Sequence, residues 1–375
     1  MSSIEKLKNI EILRFLFSLC IIWEHMHGGI LKSFIHNIPL YEKLITTRYA
    51  FMAVDFFFII AGFFLFLTTD FRQKFTDFAI KKIKRLMPVV FYSIFLYWII
   101  SLFTPIKFLK YENVFSLLNI SNCGITLQYG NNFCTWFVSA LFWTMCFYFY
   151  LYKIINKKMF NLICACLIFF CYAFWIHSSG SNFDNVYSGL NRGMLRAFAG
   201  LGVGYFIANL YKENIEKIKF IEFKFPVTII ITFTEIYLFS FIFKYTCLQK
   251  MNYNNPMILI IAFIGLFLLF IFKKGYLSKL LNNNLSVFLG QFAYSIFMTH
   301  FVIKDLWLNI VYKNCQNWVI LHPYANLICL YTVIIIFGII TYYLIEKPAA
   351  KLLKNFSLKN MIKTQTITNQ EKQLK

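Results

Sequence analysis

The sequence predicts an all-α fold: a polytopic integral-membrane helical bundle of about ten transmembrane helices with both termini inside. Three observations carry this reading. Of 375 residues, 59% are hydrophobic and only 14% charged, against about 45 to 50% and about 25% in a soluble globular chain. The mean hydropathy is +0.62, with 47 Phe and 23 Tyr, which is more apolar surface than one soluble core of this size can hide. Lys and Arg fall in short clusters between long apolar runs. A water-soluble globule, a disordered chain and a disulfide-rich secreted scaffold are thereby excluded. The net charge of +21 raises nucleic acid as a partner, but the basic clusters form no continuous face. They are read as orienting the chain in a lipid bilayer, and no nucleic acid is expected.

Ten apolar runs are long enough to span: Ile10 to Leu31, Phe51 to Thr68, Leu86 to Thr104, Thr135 to Ile154, Phe160 to His177, Gly193 to Leu210, Phe225 to Phe243, Pro256 to Phe272, Leu285 to Ile303, and Pro323 to Ile345. With the N-terminus inside, 25 of the 37 Lys and Arg lie on the cytoplasmic side, 10 lie outside, and Arg14 and Arg196 lie within spans. That bias favours N-in and C-in, as an even number of spans requires. The first run carries Arg14, Glu24 and His25 and precedes no small-x-small site, so it reads as an uncleaved span. Residues 1–350 form the transmembrane domain, and 351–375 form a basic polar cytoplasmic tail whose start suits the inner leaflet.

A charge at membrane depth costs at least about 2.5 to 3.5 kcal/mol, so each one is a functional candidate. In the first span, Arg14 and His25 are eleven steps apart. At about 100° per step they share a face and are separated by roughly 16 Å along the axis. Either Arg14 snorkels and His25 satisfies a carbonyl, or the stripe is functional. In the second span, Asp55 and Gly62 share a face; Gly62 permits close helix approach. Asp55 can hold Arg192 or Arg196 of the sixth span, or it can orient His25 as a carboxylate orients a basic imidazole. Before the third span, Lys82 and Arg85 share a helix face, suited either to topology and anionic lipid or to gripping the phosphates of a cytoplasmic cofactor. Later spans add Glu235, to which the sequence assigns no role, together with His300 and Glu346.

Six of the ten cysteines lie within spans as small apolar side chains. Cys123, Cys134, Cys247 and Cys315 lie in or beside outer loops, and Cys123 with Cys134 is the expected disulfide if one forms. No zinc-type Cys/His spacing, phosphate-binding Gly loop or G-x-S-x-G elbow occurs, so no metal is expected.

Taken in order, these residues resemble the membrane-bound acyltransferase 3 family, whose members O-acylate surface glycans and related molecules. Arg14 and His25 match its Arg-x10-His motif. Val54, Asp55, Phe57, Phe58, Gly62 and Phe63 match the second motif in register, and Lys82, Arg85 and Pro88 match the third. Trp136 and Ser139, Arg192 and Gly200, Tyr294 and His300, and Glu346 and Pro348 follow. Ala53, Ala61 and Phe297 depart from the family's usual Gly, Ser and Tyr. The resemblance covers almost the whole chain. It implies an O-acetyltransferase of the bacterial inner membrane that takes acetyl-CoA from the cytoplasm and acylates a hydroxyl of a surface or lipid-linked glycan. Catalysis is expected from His25, Asp55 and Arg14, acetyl-CoA binding from Lys82, Arg85 and Arg14, and substrate-side contacts from Glu24, Arg192, Arg196 and His300. His25 is expected either to act as general base or to relay the acyl group. The competing expectation is a transporter or flippase of glycan precursors, which would line a path with the same polar residues.

Overall fold

The computed structural model describes residues 7–27, 49–123, 129–178, 191–221, 224–248 and 256–355. Among them there are helices and no strands, because in lipid a helix satisfies every backbone group within its own segment. Helix α1 is Lys8–His27, α2 Ala53–Thr68, α3 Phe75–Phe103, α4 Lys110–Leu117, α5 Thr135–Ile154, α6 Lys157–Ser178 and α7 Arg192–Phe220. They are followed by α8 Phe225–Phe243, α9 Met257–Phe272, α10 Tyr276–Leu280, α11 Asn284–Gly290, α12 Ala293–Trp307, α13 Gln316–Leu321, α14 Pro323–Thr341 and α15 Lys347–Asn355. Eight helical stretches are long and apolar enough to cross a membrane. The charged α1 and the shorter α9 account for the other two expected spans.

Several helical stretches run past the expected spans, α3 and α7 among them. Helix α3 begins at Phe75 rather than near Leu86, because no helix breaker precedes Pro88 and the basic stretch continues the same helix. Helix α7 runs ten residues beyond Leu210 through Lys212, Glu213, Glu216 and Lys217, so its polar end projects past the apolar section.

Burial separates an inner ring from a lipid-facing one. Within the protein, 78% of the α2 span window and 72% of that of α7 are buried, against 17% for the α8 span and 22% for the α14 span. Large apolar side chains are exposed on the outer helices, such as Phe169 and Phe170 on α6 and Phe225 and Phe233 on α8, as lipid solvation permits. Helices α2 and α7 approach so closely that a Cβ on Gly62 would meet the Leu201 backbone, and one on Gly204 would meet the backbone of Ile59 and Phe63. The sequence expectation for Gly62 holds: small residues let two backbones touch where no hydrophobic force drives helices together.

Glu235 has a structural explanation. It is fully buried on α8, and its Oε2 accepts the Ser278 amide in the first turn of α10 at 3.2 Å. The carboxylate thus satisfies one of the amides that a helix start leaves without an intrahelical partner.

The segment before α5 is held by asparagines. Asn131 Oδ1 accepts from the Leu109 amide (2.9 Å) and from Asn113 Nδ2 (2.7 Å), and Asn132 Nδ2 donates to the Met298 carbonyl (2.8 Å). Asn119 and Asn122 take positive φ of 59° and 42°, a conformation asparagine tolerates better than most residues. These contacts fix Phe133 and Cys134 against α12. The expected Cys123–Cys134 disulfide is absent: the Cys134 sulfur faces His300, and Cys123 Sγ donates to the Ile120 carbonyl at 3.2 Å. Lys84 Nζ donates to the Leu353 carbonyl at 3.0 Å, tying α3 to α15. The remainder of the expected tail, 356–375, lies outside the described residues.

Candidate active site

Helix α1 presents His25 and helix α12 presents His300, and the two rings lie nearly parallel, 12° apart, with Nδ1 of His25 2.8 Å from Nε2 of His300. The proton positions follow from one further contact. His300 Nδ1 lies 2.6 Å from the Phe297 carbonyl, which can only accept, so Nδ1 carries the proton and Nε2 offers a lone pair. His25 must then donate from Nδ1, which leaves its own Nε2 as an unprotonated base. Phe301 and Phe133 flank the His25 ring at 4.6 and 5.9 Å between centroids. Lys304, one turn beyond His300, lies 3.9 Å above the Phe301 ring and pairs with Asp305 at 3.7 Å. Asp305 in turn accepts from Tyr97 Oη at 2.7 Å.

Asp55 does not hold His25. Its carboxylate is fully buried and accepts from Arg196 Nε at 3.2 Å and from Arg196 Nη2 at 2.7 Å. The same guanidinium donates to the Phe51 carbonyl at 2.8 Å and lies 5.4, 6.0 and 5.2 Å from the rings of Phe51, Trp136 and Trp175. Of the two arginines that sequence offered Asp55, the structure selects Arg196. The pair joins α2 to α7 and takes Trp136 as an aromatic wall. Arg192 begins α7 one turn further out. Glu24 accepts the Ala50 amide, and its Oε2 has no hydrogen-bond partner among the described residues.

The three cations expected to grip phosphate do converge. Arg14, Lys82 and Arg85 line one cavity of about 300 Å³, together with Glu11, Glu346, Tyr294 and Thr68. Arg14 is already engaged by Glu11 at 2.7 Å. Lys82 and Arg85 make no ion pair within 4 Å among the described residues, and Arg85 is exposed at the cavity's charged end. Glu346 accepts from Ser295 Oγ at 2.6 Å, and Tyr294 donates to the Leu86 carbonyl at 2.6 Å, so the last two motifs wall the same space. The remaining lining is apolar and includes Ile21, Val54, Phe57, Phe137 and Phe297. Ile21 is one turn before His25 on α1, and Phe297 supplies the carbonyl that sets the His300 tautomer. The cavity thus runs from a basic end to within a helical turn of the imidazole pair, where Phe137 and Phe297 meet edge to face at 5.3 Å.

Sequence reasoning missed Glu11, Cys134, Phe301 and Lys304. Cys134 Sγ lies 3.9 Å from His300 Nε2, and not in the disulfide that its loop position suggests. Its position two residues before Trp136, and that of Lys304 four residues after His300, were the available signals.

A membrane-embedded helical bundle that encloses a half-buried imidazole base and a cavity with a cationic end defines a polytopic membrane protein equipped for group transfer. The acyltransferase 3 model, described as an acyltransferase domain, matches residues 7–346. The chain belongs to that family and is a membrane acyltransferase. No curated protein and no solved structure matches it.

Proposed function

We propose that the protein moves an acetyl group from cytoplasmic acetyl-CoA to a hydroxyl of a surface or lipid-linked glycan in the bacterial inner membrane, with both termini in the cytoplasm. One observation carries the reading: His25 Nε2 is left as a free lone pair by the His25–His300–Phe297 chain, within a turn of a cavity whose other end holds Arg14, Lys82 and Arg85. N-in orientation places that cationic end where CoA is.

Acetyl-CoA supplies an activated thioester. Arg85 and Lys82 bind its phosphates by charge-assisted contacts, and the Arg fork suits two oxygens at once. Arg14, tied to Glu11, positions the donor rather than gripping it strongly. At about 300 Å³ the cavity is at the small end of ligand pockets. It therefore admits the acyl-bearing arm and leaves the nucleotide at the entrance. The apolar walls exclude water and so protect the thioester from hydrolysis.

His25 Nε2 takes the proton of the acceptor hydroxyl as its oxygen attacks the acetyl carbonyl. The new C–O bond forms, the C–S bond breaks, and the proton leaves on the CoA sulfur. His300 holds the His25 ring in the basic tautomer throughout. Phe133, Phe301 and Lys304 form the outer surround in which a sugar can stack on the rings and accept hydrogen bonds from the ammonium. Asp55 and Arg196 hold α2 against α7 and so position the wall that faces the cavity.

The test is mass spectrometry of the surface glycan from cells with the protein, without it, and with His25→Ala at equal membrane level. Acetyl groups present only with the wild type support the reading. Normal acetylation with His25→Ala overturns it, and transport of unmodified glycan that survives His25→Ala favours the transporter.

A further inference from the structure

His25, His300 and Cys134 bring two imidazole nitrogens and one sulfur within 4.8 Å of one another. The transfer reaction uses Nε2 of His25 and leaves Cys134 without a part. We propose that these three side chains form a binding site for a soft divalent cation of the zinc type, and that its occupancy switches acyl transfer off.

The donor set is one that zinc takes, and three protein ligands leave the fourth tetrahedral position open to water or substrate. Ligand atoms about 2.0 to 2.3 Å from zinc stand roughly 3.3 to 3.7 Å from one another. His25 Nδ1 and His300 Nε2 are 2.8 Å apart, and Cys134 Sγ is 3.9 Å from His300 Nε2. Small rotations of the two rings therefore suffice. The support around the ligands is already in place. His300 directs its other ring nitrogen at the Phe297 carbonyl (2.6 Å), the outer contact that orients metal-binding histidines and sets their tautomer. The Cys134 amide donates to Asn132 Oδ1 at 3.0 Å, and Asn132 Nδ2 is anchored on Met298 O, so sulfur and imidazole are fixed to the same stretch of α12. The three ligands come from α1, the start of α5 and α12, which explains why no Cys/His spacing in the sequence announced them. Lys304 is the neighbouring cation, and Asp305 at 3.7 Å offsets it.

Binding has a defined proton balance. The Cys134 thiol gives up its proton to solvent and ligates as thiolate. Nδ1 of His25 surrenders its hydrogen to expose a lone pair, and Nε2 takes up a proton in exchange. One proton is released per metal bound, and Nε2 is converted from acceptor to donor. The inhibition rests on the reading of His25 as general base; the binding does not.

Cobalt(II) reports thiolate ligation by a near-ultraviolet charge-transfer band. The full-length wild-type protein in lipid nanodiscs, titrated with Co²⁺, is expected to develop that band and saturate at one ion per chain, with Zn²⁺ displacing it. Cys134→Ser is expected to lose the band and to retain acyl transfer. It should also raise the half-inhibitory zinc concentration at least about tenfold, since loss of an outer-shell contact alone costs 10- to 100-fold. Cys134→Ala serves as the second variant if the serine protein fails to accumulate. Absence of the band in the wild type overturns the site, as does a band of equal intensity without Cys134, which would place the ligand among the remaining nine cysteines. Undiminished acyl transfer at saturating zinc, with cobalt bound as expected, overturns the switch and with it His25 as base, and leaves the metal site standing.

Discussion

Replacing His300 with alanine removes the acceptor of the His25 Nδ1 proton while leaving His25 itself in place. The bond is 2.8 Å long and joins two neutral rings, so its net worth is about 0.5 to 1.5 kcal/mol. If that energy holds His25 in the tautomer with a basic Nε2, its loss reduces the competent population and the turnover by about 2- to 12-fold. His25→Ala removes the base outright and is expected to cost about 100- to 10,000-fold. His300→Gln keeps a side-chain acceptor oxygen and should lie between wild type and His300→Ala. The assay is transfer of radiolabelled acetyl from acetyl-CoA to glycan acceptor in vesicles, normalised to folded protein, with kcat and KM separated. The expected pattern is a reduced kcat with an acetyl-CoA KM close to wild type. A His300→Ala defect as severe as that of His25→Ala would refute the assignment of roles, because it would make His300 the group that meets the proton.

Three further outcomes follow from the same geometry. Asp55→Ala leaves the buried Arg196 guanidinium uncompensated and should destabilise by about 3 to 5 kcal/mol, whereas Asp55→Leu combined with Arg196→Met should recover most of that; heat-induced loss of the monodisperse chromatographic peak measures both. If Asp55→Ala is as stable as wild type and inactive, Asp55 has a chemical role instead. Arg85→Ala should weaken acetyl-CoA binding by calorimetry roughly 10- to 150-fold, from about 1.5 to 3 kcal/mol of charge-assisted contact, and Arg14→Ala should weaken it less because Glu11 already engages Arg14. Glu235→Ala deprives the Ser278 amide of its acceptor and should lower stability by about 1 to 3 kcal/mol, with unchanged kcat in the folded fraction. A catalytic defect at full stability would contradict the capping role.

Much of the architecture was legible because a bilayer imposes a one-dimensional rule. An apolar run of sufficient length must become a helix, so each of the ten expected spans falls on one, and only their ends moved. The extension of α3 back to Phe75 shows why: hydropathy marks where a helix meets lipid, whereas the helix itself stops where its backbone meets a breaker or loses its partners. The stripe from Arg14 to His25 was likewise readable, since both ends lie on one helix whose periodicity fixes their relation.

Pairing between helices was not readable. Asp55 had two arginines and one histidine as candidate partners, and nothing in their spacing chose Arg196; the choice came from the close approach of α2 and α7 at Gly62 and Gly204 and from the aromatic rings that enclose the guanidinium. Glu235 had no sequence rationale because its partner, an amide of α10, carries no side-chain signature. Cys134 read as a loop thiol until α12 set His300 beside it.

By itself, the sequence determined which segments enter the membrane, which residues on each helix share a face, and through its ordered motifs which family the chain resembles. The tertiary structure alone decided that His25 leans on His300, that Asp55 is occupied by Arg196, and that Arg14, Lys82 and Arg85 border one cavity. The reason is physical: helix periodicity and transfer free energy act along the chain, whereas hydrogen bonds and ion pairs between helices depend on crossing and rotation, which are set by the packing of the whole bundle at once.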